Sequence, residues 1–262
     1  WLQHQTVSTV GHVPIGTVSQ GAEAVRAGLR AEANAGRRLV VVDATLDEHL
    51  MTIGSAAGDL KLITGGSGIA MGLPENFRQA GMIGGERAAW SGEAGPAVVL
   101  SGSCSNATRA QVAHYIENHP HLEVTADAVM HGRLTGQSVA SFLLEHAEEA
   151  PIAFSSADPD IVARMQETFG REAVAEALEG LFAEVAREVT EAGVSRLIIA
   201  GGETSGAIVS GLSLEALEIG PEIDPGVPAL KAAGRPLAMA LKSGNFGAED
   251  FFEKAAGILK GA

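Results

Sequence analysis

The sequence is poor in cysteine and in basic residues, and each shortage excludes a class of protein. Cys104 is the one cysteine in 262 residues, so an intrachain disulfide and a zinc site built from several cysteines are both excluded. The 18 basic side chains are outnumbered by 32 acidic ones, which gives a formal net charge of −14. This balance argues against broad binding to a nucleic-acid backbone or to an anionic membrane. Any anion-binding site must therefore be local.

Long apolar runs are also missing. No stretch approaches the roughly 20 apolar residues that span a bilayer, and the first residues lack the pattern of a signal peptide. Together with the single cysteine, these features lead us to expect a cytoplasmic protein. Because the chain begins at Trp1 rather than at Met, we interpret it as a fragment or a processed product.

A hydrophobic content of 46% and 33 glycines favour a compact, turn-rich protein. Short apolar runs alternate with amphipathic ones, which is typical of largely parallel sheets with flanking helices. We therefore predict an α/β protein with two sub-domains. The weak pattern and clustered glycines from Gly81 to Pro96 predict the boundary, which gives domains at residues 1–95 and 96–262.

The predicted elements follow the same alternation in both halves. In the first half, strands are predicted at 7–18, 39–43 and 60–64, and a helix at 22–35. In the second half, strands are predicted at 97–100, 151–155, 196–200 and 237–241, and helices at 108–118 and 171–192. Residues 156–159 follow the second of these strands.

Three loops of the second half follow predicted strands and are rich in glycine and serine. They span residues 101–106, 201–206 and 242–247. In a parallel sheet all three leave the same edge, so their hydroxyl and amide groups can surround a polyphosphate. Lys242 either supplies a positive charge there or caps the last strand. The same pattern also fits three ordinary strand-to-helix turns.

The loop at 201–206 carries the clearest of these signals. An apolar run ends at Gly201-Gly202, which predicts a tight turn and then a helix. Thr204 and Ser205 are expected to cap that helix and to leave amide groups pointing outward. The Walker pattern is missing, and Met71 stands where a dinucleotide fingerprint has Gly or Ala. A Walker-type NTPase and a dehydrogenase are therefore disfavoured.

Other chemistry-bearing residues have a structural interpretation beside the functional one. Cys104 is either the reactive thiol of a hydrolase or a small packed residue. His114, His119 and His121 lie close in sequence without the spacing of a zinc site, so no metal site is predicted. Asp43 either faces a substrate cleft or caps the turn after its strand.

Four motifs in register resemble the four-carbon acid sugar kinases, specifically the 3-oxo-tetronate kinase type. They are Ser-Gly-Ser-Cys-Ser-Asn-Ala-Thr at 101–108, Gly-Gly-Glu-Thr-Ser-Gly-Ala at 201–207, Glu-Ile-Asp-Pro-Gly-Val-Pro at 222–228 and Leu-Lys-Ser-Gly-Asn-Phe-Gly at 241–247. Segments at 9–11, 42–44 and 64–68 are also similar to this family. The resemblance therefore extends over essentially the whole chain.

The resemblance implies a kinase that uses ATP to phosphorylate the terminal hydroxyl of a four-carbon sugar acid in carbohydrate metabolism. It implies that residues 1–95 are the rear portion of a substrate domain and that 96–262 form the nucleotide-binding domain. The ATP contacts implied by the motifs are Ser101, Ser103, Gly201, Gly202, Glu203, Thr204 and Gly244.

Mg²⁺ is expected to accompany the nucleotide, because phosphoryl transfer needs its negative charge neutralised. Glu203 or Asp224 can hold the ion through water. A glutamate at this position is explained as well by the dipole of the following helix. The family's opening segment, with an Asp-Asp-x-x-Gly-Ala type of motif, is not among these residues, so no catalytic base is assigned.

An alternative function therefore stays open, which is a nucleotide- or metabolite-binding module without turnover. For the kinase, the expected partner is a small sugar acid rather than a nucleic acid or a membrane. A substrate domain that lacks its front exposes apolar surface, which leads us to expect a homodimer or an associated second chain.

Overall fold

A computed structural model describes residues 1–84, 89–155 and 167–261. The chain divides into two compact units, residues 1–88 and 89–262. Each unit has its own apolar core, since none of the three buried clusters draws residues from both. The boundary expected after residue 95 stays a prediction. Among the described residues, no helix has the length and apolar character needed to cross a membrane.

The first unit contains a two-stranded parallel sheet with helices. Its elements are β1 (Val10–Val13), α1 (Ile15–Val18), α2 (Ala22–Asn34), β2 (Leu39–Val42), α3 (Asp47–Ala56) and α4 (Pro74–Gln79). In the sheet, Val10 lies opposite Leu39 and Val13 lies opposite Val42. The core of this unit is small and centres on Val13, Val25 and Ile53.

Two strand predictions for this unit are wrong. The strand predicted at 7–18 is confined to β1, because Pro14 has no N–H to donate to a sheet and instead precedes α1 as its N-cap. No strand forms at 60–64, where Leu60 and Leu62 are exposed, because an apolar run needs a partner strand or helix to bury it. The helix predicted at 22–35 and the strand predicted at 39–43 are confirmed as α2 and β2.

The second unit contains a seven-stranded sheet. Its strands are β3 (Ala97–Ser101), β4 (His121–Glu123), β5 (Ile152–Phe154), β6 (Arg196–Ala200), β7 (Leu217–Asp224), β8 (Val227–Ala232) and β9 (Ala238–Lys242). Its helices are α5 (Asn106–Tyr115), α6 (Ala126–Met130), α7 (Gly136–Glu145), α8 (Arg171–Glu191), α9 (Gly202–Gly211) and α10 (Phe251–Lys260). The strand order is β4-β5-β3-β6-β9-β8-β7.

The sheet is parallel from β4 to β9 and ends in an antiparallel hairpin, β7 and β8. The central strands β3, β5 and β6 are buried almost throughout, which explains why they are continuous apolar runs rather than alternating ones. Helices α7, α8 and α9 cover one face, and α5 and α10 cover the other. The predicted α/β class with a largely parallel sheet is confirmed.

The strands and helices predicted for this unit are present with ends shifted by a few residues, and the structure adds β4, α6, α7, the β7–β8 hairpin and α10. The sequence does not predict the hairpin, because Pro221, Pro228 and two register shifts interrupt the alternation of apolar and polar residues in its strands. Residues 156–159, which the sequence places after the strand now labelled β5, lie outside the described residues.

Candidate functional site

The three glycine- and serine-rich loops leave neighbouring strands at one edge of the sheet. Strand β6 lies between β3 and β9, and all three are parallel. Ser101 lies opposite Ala200, which lies opposite Lys242, so the loops at 101–106, 201–206 and 242–247 start at the same level. The expectation that the three loops share an edge is confirmed.

The chain leaves β3 and β6 toward opposite faces of the sheet. Val112 of α5, which follows β3, packs in the same core as Phe252. Ile208 of α9, which follows β6, packs with Phe182 in the core on the other face. Adjacent parallel strands whose helices diverge in this way open a crevice at their carboxyl ends, which is where open α/β sheets bind ligands.

The first two loops contact each other closely around two glycines. The Gly102 N–H donates to Ala200 O at 2.9 Å, and a Cβ on Gly102 would lie 2.1 Å from Thr204 Oγ1. Gly201 has φ of 123°, a conformation that side chains other than glycine rarely adopt. Its N–H donates to Lys242 O at 2.9 Å, which links the loop at 201–206 to the end of β9. Glycine is therefore required at 102 for the close approach of Thr204 and at 201 for the positive φ.

The first and third loops meet at Gly244. Its carbonyl oxygen accepts hydrogen bonds from Thr108 Oγ1 at 2.8 Å and from Ser105 Oγ. A Cβ on Gly244 would lie 2.6 Å from Ser103 Oγ. Gln111 of α5 adds a second attachment, with its Nε2 within 3.1 Å of the carbonyls of residues 246, 247 and 248. All three loops therefore form one contiguous cluster.

Helix α9 begins earlier than the sequence predicts, at Gly202, with Gly201 as its N-cap. The expected capping by Thr204 and Ser205 is wrong, because both residues lie inside the first turn and the N-cap, Gly201, has no side chain to accept from the helix N–H groups. The first N–H groups of α9 therefore keep the free hydrogen-bonding capacity that suits an anion. By contrast, Ser105 caps α5 by accepting the Thr108 N–H.

The predicted ATP-contact residues differ in how far solvent reaches them. Gly202 and Glu203 are exposed, and Ser103 and Gly244 are half-buried. The buried members of the predicted set are Ser101, Gly201 and Thr204.

Two buried hydroxyls at this edge of the sheet lack a hydrogen bond. Within the described ranges, neither Ser101 Oγ nor Ser205 Oγ has a partner, although both residues are at least nine-tenths buried. Buried hydroxyls in folded proteins are almost always paired with a protein group, an ordered water or a ligand. They therefore accord with a polar ligand bound at this cluster.

Lys242 is fully buried at the end of β9, with 1% of its surface exposed. Its Nζ donates to Thr108 Oγ1 at 2.8 Å and to the carbonyls of Gly244 at 3.1 Å and Ser243 at 3.3 Å. Burial lowers the pKa of its ammonium group from 10.5 to about 8. The ammonium is inside the loop cluster and is not a cap on the surface of the strand.

The loop cluster also contains residues that the sequence interpretation did not single out, namely Ser105, Thr108 and Gln111. The signal for the first two was available, since a serine followed three residues later by threonine fits a helix N-cap. Nothing in the sequence marks Gln111, because its role depends on the path of a loop more than 130 positions away.

The two carboxylates considered for Mg²⁺ occupy different surroundings. Glu203 is exposed in the first turn of α9. Asp224 is nearly buried, and its oxygens accept from the Ala248 N–H at 2.8 Å and from Lys254 Nζ at 3.2 Å. Asp224 therefore fastens the loop before α10. In the part of the chain that the structure describes, no cluster of three or more His, Cys, Asp or Glu side chains is arranged for a metal.

The remaining residues considered in the second unit have structural contacts. His119 stacks on Tyr115 and lies 2.7 Å from Glu149 O through Nδ1. Cys104 is half-buried, with its Sγ 3.8 Å from Ser155 O. These contacts fit the packing interpretation of Cys104.

In the first unit, Asp43 links the ends of the two strands. One of its oxygens lies 2.9 Å from His12 Nε2, and the other accepts the Ile15 N–H at 3.1 Å. The hydrogen bond with His12 is the main reason that the pKa of Asp43 is lowered. Asp43 therefore supports the start of α1 rather than the turn after its own strand.

Comparison with known proteins assigns families to both units. A family model described as a nucleotide-binding C-terminal domain matches residues 98–252, and one described as a sugar-binding N-terminal domain matches residues 1–73. A 3-oxo-tetronate kinase of Burkholderia multivorans is 42% identical over 264 residues, covering 100% of this chain and 62% of the relative. The chain belongs to the four-carbon acid sugar kinase family. The resemblance seen in its motifs is thereby confirmed.

Further relatives agree with this membership. A 3-oxo-tetronate kinase of Pseudomonas savastanoi pv. phaseolicola is 43% identical over 267 residues, covering 100% of this chain and 61% of the relative. A solved structure from Salmonella typhimurium LT2 is 36% identical with a TM-score of 0.76, covering 97% of this chain and 61% of the other. One from Haemophilus influenzae is 35% identical with a TM-score of 0.69, covering 98% and 62%. The chain thus spans about three fifths of the length of these relatives.

Proposed function

We propose that this chain supplies the nucleotide-binding part, and a portion of the sugar-acid-binding part, of an ATP-dependent kinase of carbohydrate metabolism. The kinase phosphorylates the terminal hydroxyl of a four-carbon sugar acid, 3-oxo-tetronate or a related tetronate or threonate. The observation that carries the proposal is the cluster of three loops at the switch point of the sheet, inside the segment that matches a nucleotide-binding domain. The names of the relatives support the substrate class.

The proposed division of labour follows the sequence expectation, with residues 1–95 in the sugar-acid part and 96–262 in the nucleotide part. The N–H groups of Gly202 and Glu203 at the uncapped start of α9 are suited to polyphosphate oxygens. Ser103 and Gly244 border the same cluster from the other two loops, while Gly201 and Thr204 shape the turn. Ser101 lies beneath it, and its hydroxyl has no hydrogen-bond partner in the described part of the chain.

Mg²⁺ bound with the nucleotide would neutralise phosphate charge, and the ion takes few protein ligands because phosphate oxygens and water complete its shell. Glu203 is the carboxylate in position to interact through water, since both oxygens of Asp224 are engaged. Phosphoryl transfer requires mainly alignment and charge stabilisation from the protein. The chain's contribution is to fix the polyphosphate among rigid backbone loops.

Calorimetric titration with MgATP tests the nucleotide site through a matched pair at Gly202. A Cβ at this position meets nothing within 4 Å, so Gly202→Asp and Gly202→Asn should both fold. The wild-type protein and Gly202→Asn are expected to bind MgATP, whereas Gly202→Asp should lose at least tenfold in affinity because its carboxylate repels phosphate. Equal affinities for the two variants would contradict the proposed position of the polyphosphate.

Turnover is tested separately, by following ADP formation from MgATP with 3-oxo-tetronate and with related tetronates. ADP formation that depends on a sugar acid supports the kinase. Binding of MgATP without such turnover supports instead a binding module. We propose in addition a cytoplasmic location and a homodimer, and a monomeric mass by light scattering at micromolar concentration would contradict the dimer.

A further inference from the structure

Lys242 has an arrangement that a surface lysine does not have. Its three hydrogen-bond acceptors, Thr108 Oγ1, Ser243 O and Gly244 O, match the three protons of an ammonium group. All three acceptors are uncharged. Phe251 of α10 lies beyond them, with its ring centroid 6.0 Å from Nζ. The positive charge is thus buried, and none of the described residues that contact it is a carboxylate.

The charged groups on the surrounding elements do not compensate Lys242. The charged and titratable groups are Arg109, His114 and Tyr115 on α5, Arg196 on β6, Glu203 on α9, Glu218, Glu222 and Asp224 on β7, Lys231 on β8, Glu249 and Asp250 just before α10, and Glu253, Lys254 and Lys260 on α10. Asp250 and Asp224 both pair with Lys254, and Lys231 pairs with Glu93. The pKa of Lys242 is lowered by burial alone, so none of these groups contributes noticeably to it.

The ammonium also determines the shape of the loop cluster. Thr108 Oγ1 accepts from Lys242 and therefore directs its own proton to Gly244 O. Gly244 O receives Lys242, Thr108 and Ser105 together, which anchors the third loop on the first. A neutral amine has one proton fewer and would release one of these bonds. The protonated form is therefore the form that holds Gly244 beside Ser103.

We infer that Lys242 is a positioning residue whose protonation is coupled to binding of the nucleotide polyphosphate at this cluster. The inference rests on the proposed nucleotide site. Lys242 acts through Thr108 and Gly244 rather than by touching phosphate, since its protons are already used. A polyanion bound at the neighbouring loops provides the negative charge that the buried ammonium lacks, so binding should raise its affinity for a proton.

The test is calorimetry with MgATP at pH 8.0 in two buffers of different ionisation enthalpy. For a group that is half-protonated in the free protein, binding should take up about half a proton per nucleotide. MgATP affinity should fall as the pH rises from 8 to 9.5.

Lys242→Arg keeps a charge that does not titrate, so its proton uptake and pH dependence should vanish. In Lys242→Met both effects should vanish and affinity at pH 7 should fall at least tenfold.

Two controls separate Lys242 from other ionisable groups of the second unit. Lys260→Met removes an exposed lysine of α10, and Cys104→Ser removes the thiol. Both variants should keep the proton uptake. Uptake that is absent in the wild-type protein, or that persists in Lys242→Arg, overturns the inference while leaving the nucleotide site intact. A wild-type protein that does not bind MgATP at any pH overturns the proposed site as well.

Discussion

At the residue scale, two charged side chains buried in the second unit have opposite environments. Asp224 is matched by Lys254 and by the Ala248 N–H, whereas the acceptors that Lys242 contacts among the described residues are uncharged. A matched buried charge contributes to stability, but an unmatched one reduces it. We therefore expect removal of the Asp224 charge to lower the free energy of unfolding and removal of the Lys242 charge to have the opposite effect.

Lys242 should make the stability of the unliganded protein depend on pH. Its pKa is about 8 in the folded protein and 10.5 as a reference value, so between these values the unfolded chain binds more protons. The free energy of unfolding should therefore rise as the pH increases from 8 to 10.5, by up to about 3 kcal/mol. Urea unfolding at several pH values measures this slope. Lys242→Met should lack the slope and Lys260→Met should keep it, and parallel slopes in both variants would contradict the prediction.

Asp224→Asn should destabilise the protein by about 1–3 kcal/mol, because it removes a buried charge from its hydrogen-bonded partners. Asp250→Asn is the matched control, since Asp250 contacts the same lysine at 2.9 Å from an exposed position. Its loss should lower the stability by clearly less, because an ion pair in contact with solvent contributes little. The measurement is the urea midpoint of each variant. Equal shifts would show that Asp224 does not fasten the loop before α10.

At the element scale, the start of α9 is decided by the contact between two loops. Gly201 makes the turn with a positive φ, and the helix then begins two residues before the expected capping residues. Thr204 faces Gly102 of the neighbouring loop. Its place in the first turn therefore serves loop packing, and the helix N–H groups are left without a side-chain cap.

A pair of glycine substitutions tests this packing. Gly102→Ala would place a Cβ 2.1 Å from Thr204 Oγ1, so it should destabilise the protein by about 1–3 kcal/mol and weaken MgATP binding. Gly206→Ala lies on the exposed side of α9 with open space around it, so it should stabilise the helix by up to about 1 kcal/mol. Chemical denaturation and MgATP titration of both variants are the measurements. Unchanged stability and affinity in Gly102→Ala would show that the loops are not in close contact.

At the scale of the whole molecule, the two units have separate cores and different sizes. The second unit contains both large buried clusters, and its first residues, 89–95, are hydrogen-bonded to the rest of this unit. Trp90 Nε1 donates to Ile258 O at 3.1 Å, and the Glu93 N–H donates to Leu259 O at 2.9 Å. Gly95 O accepts from Arg196.

Two fragments therefore test where the nucleotide-binding part begins. A fragment of residues 89–262 should fold cooperatively and bind MgATP, because its core needs no residue of the first unit. A fragment of residues 96–262, which starts at the boundary expected from sequence, loses the contacts of Trp90 and its neighbours. It should be less stable by at least about 2 kcal/mol. Equal urea midpoints would support the boundary expected after residue 95.

Local pattern was sufficient for the α/β class, for the positions of β3, β6 and β9, and for the three loops that follow them. Strand period, apolar runs and glycines are properties of neighbouring residues, and parallel strands necessarily send their loops to one edge. The same reasoning was wrong at 60–64, where an apolar run has no partner to bury it, and at α9, where a contact with another loop replaced the capping residues.

Sequence alone thus determined which segments form the sheet, that glycine-rich loops border its carboxyl edge, and to which family the motifs belong. Only the tertiary structure decided that β6 lies between β3 and β9, that Asp224 forms an ion pair with Lys254, and that Lys242 is buried. The physical reason is distance along the chain. Lys242 and Thr108 are separated by 134 positions, and no local pattern encodes a contact that exists only after the sheet has assembled.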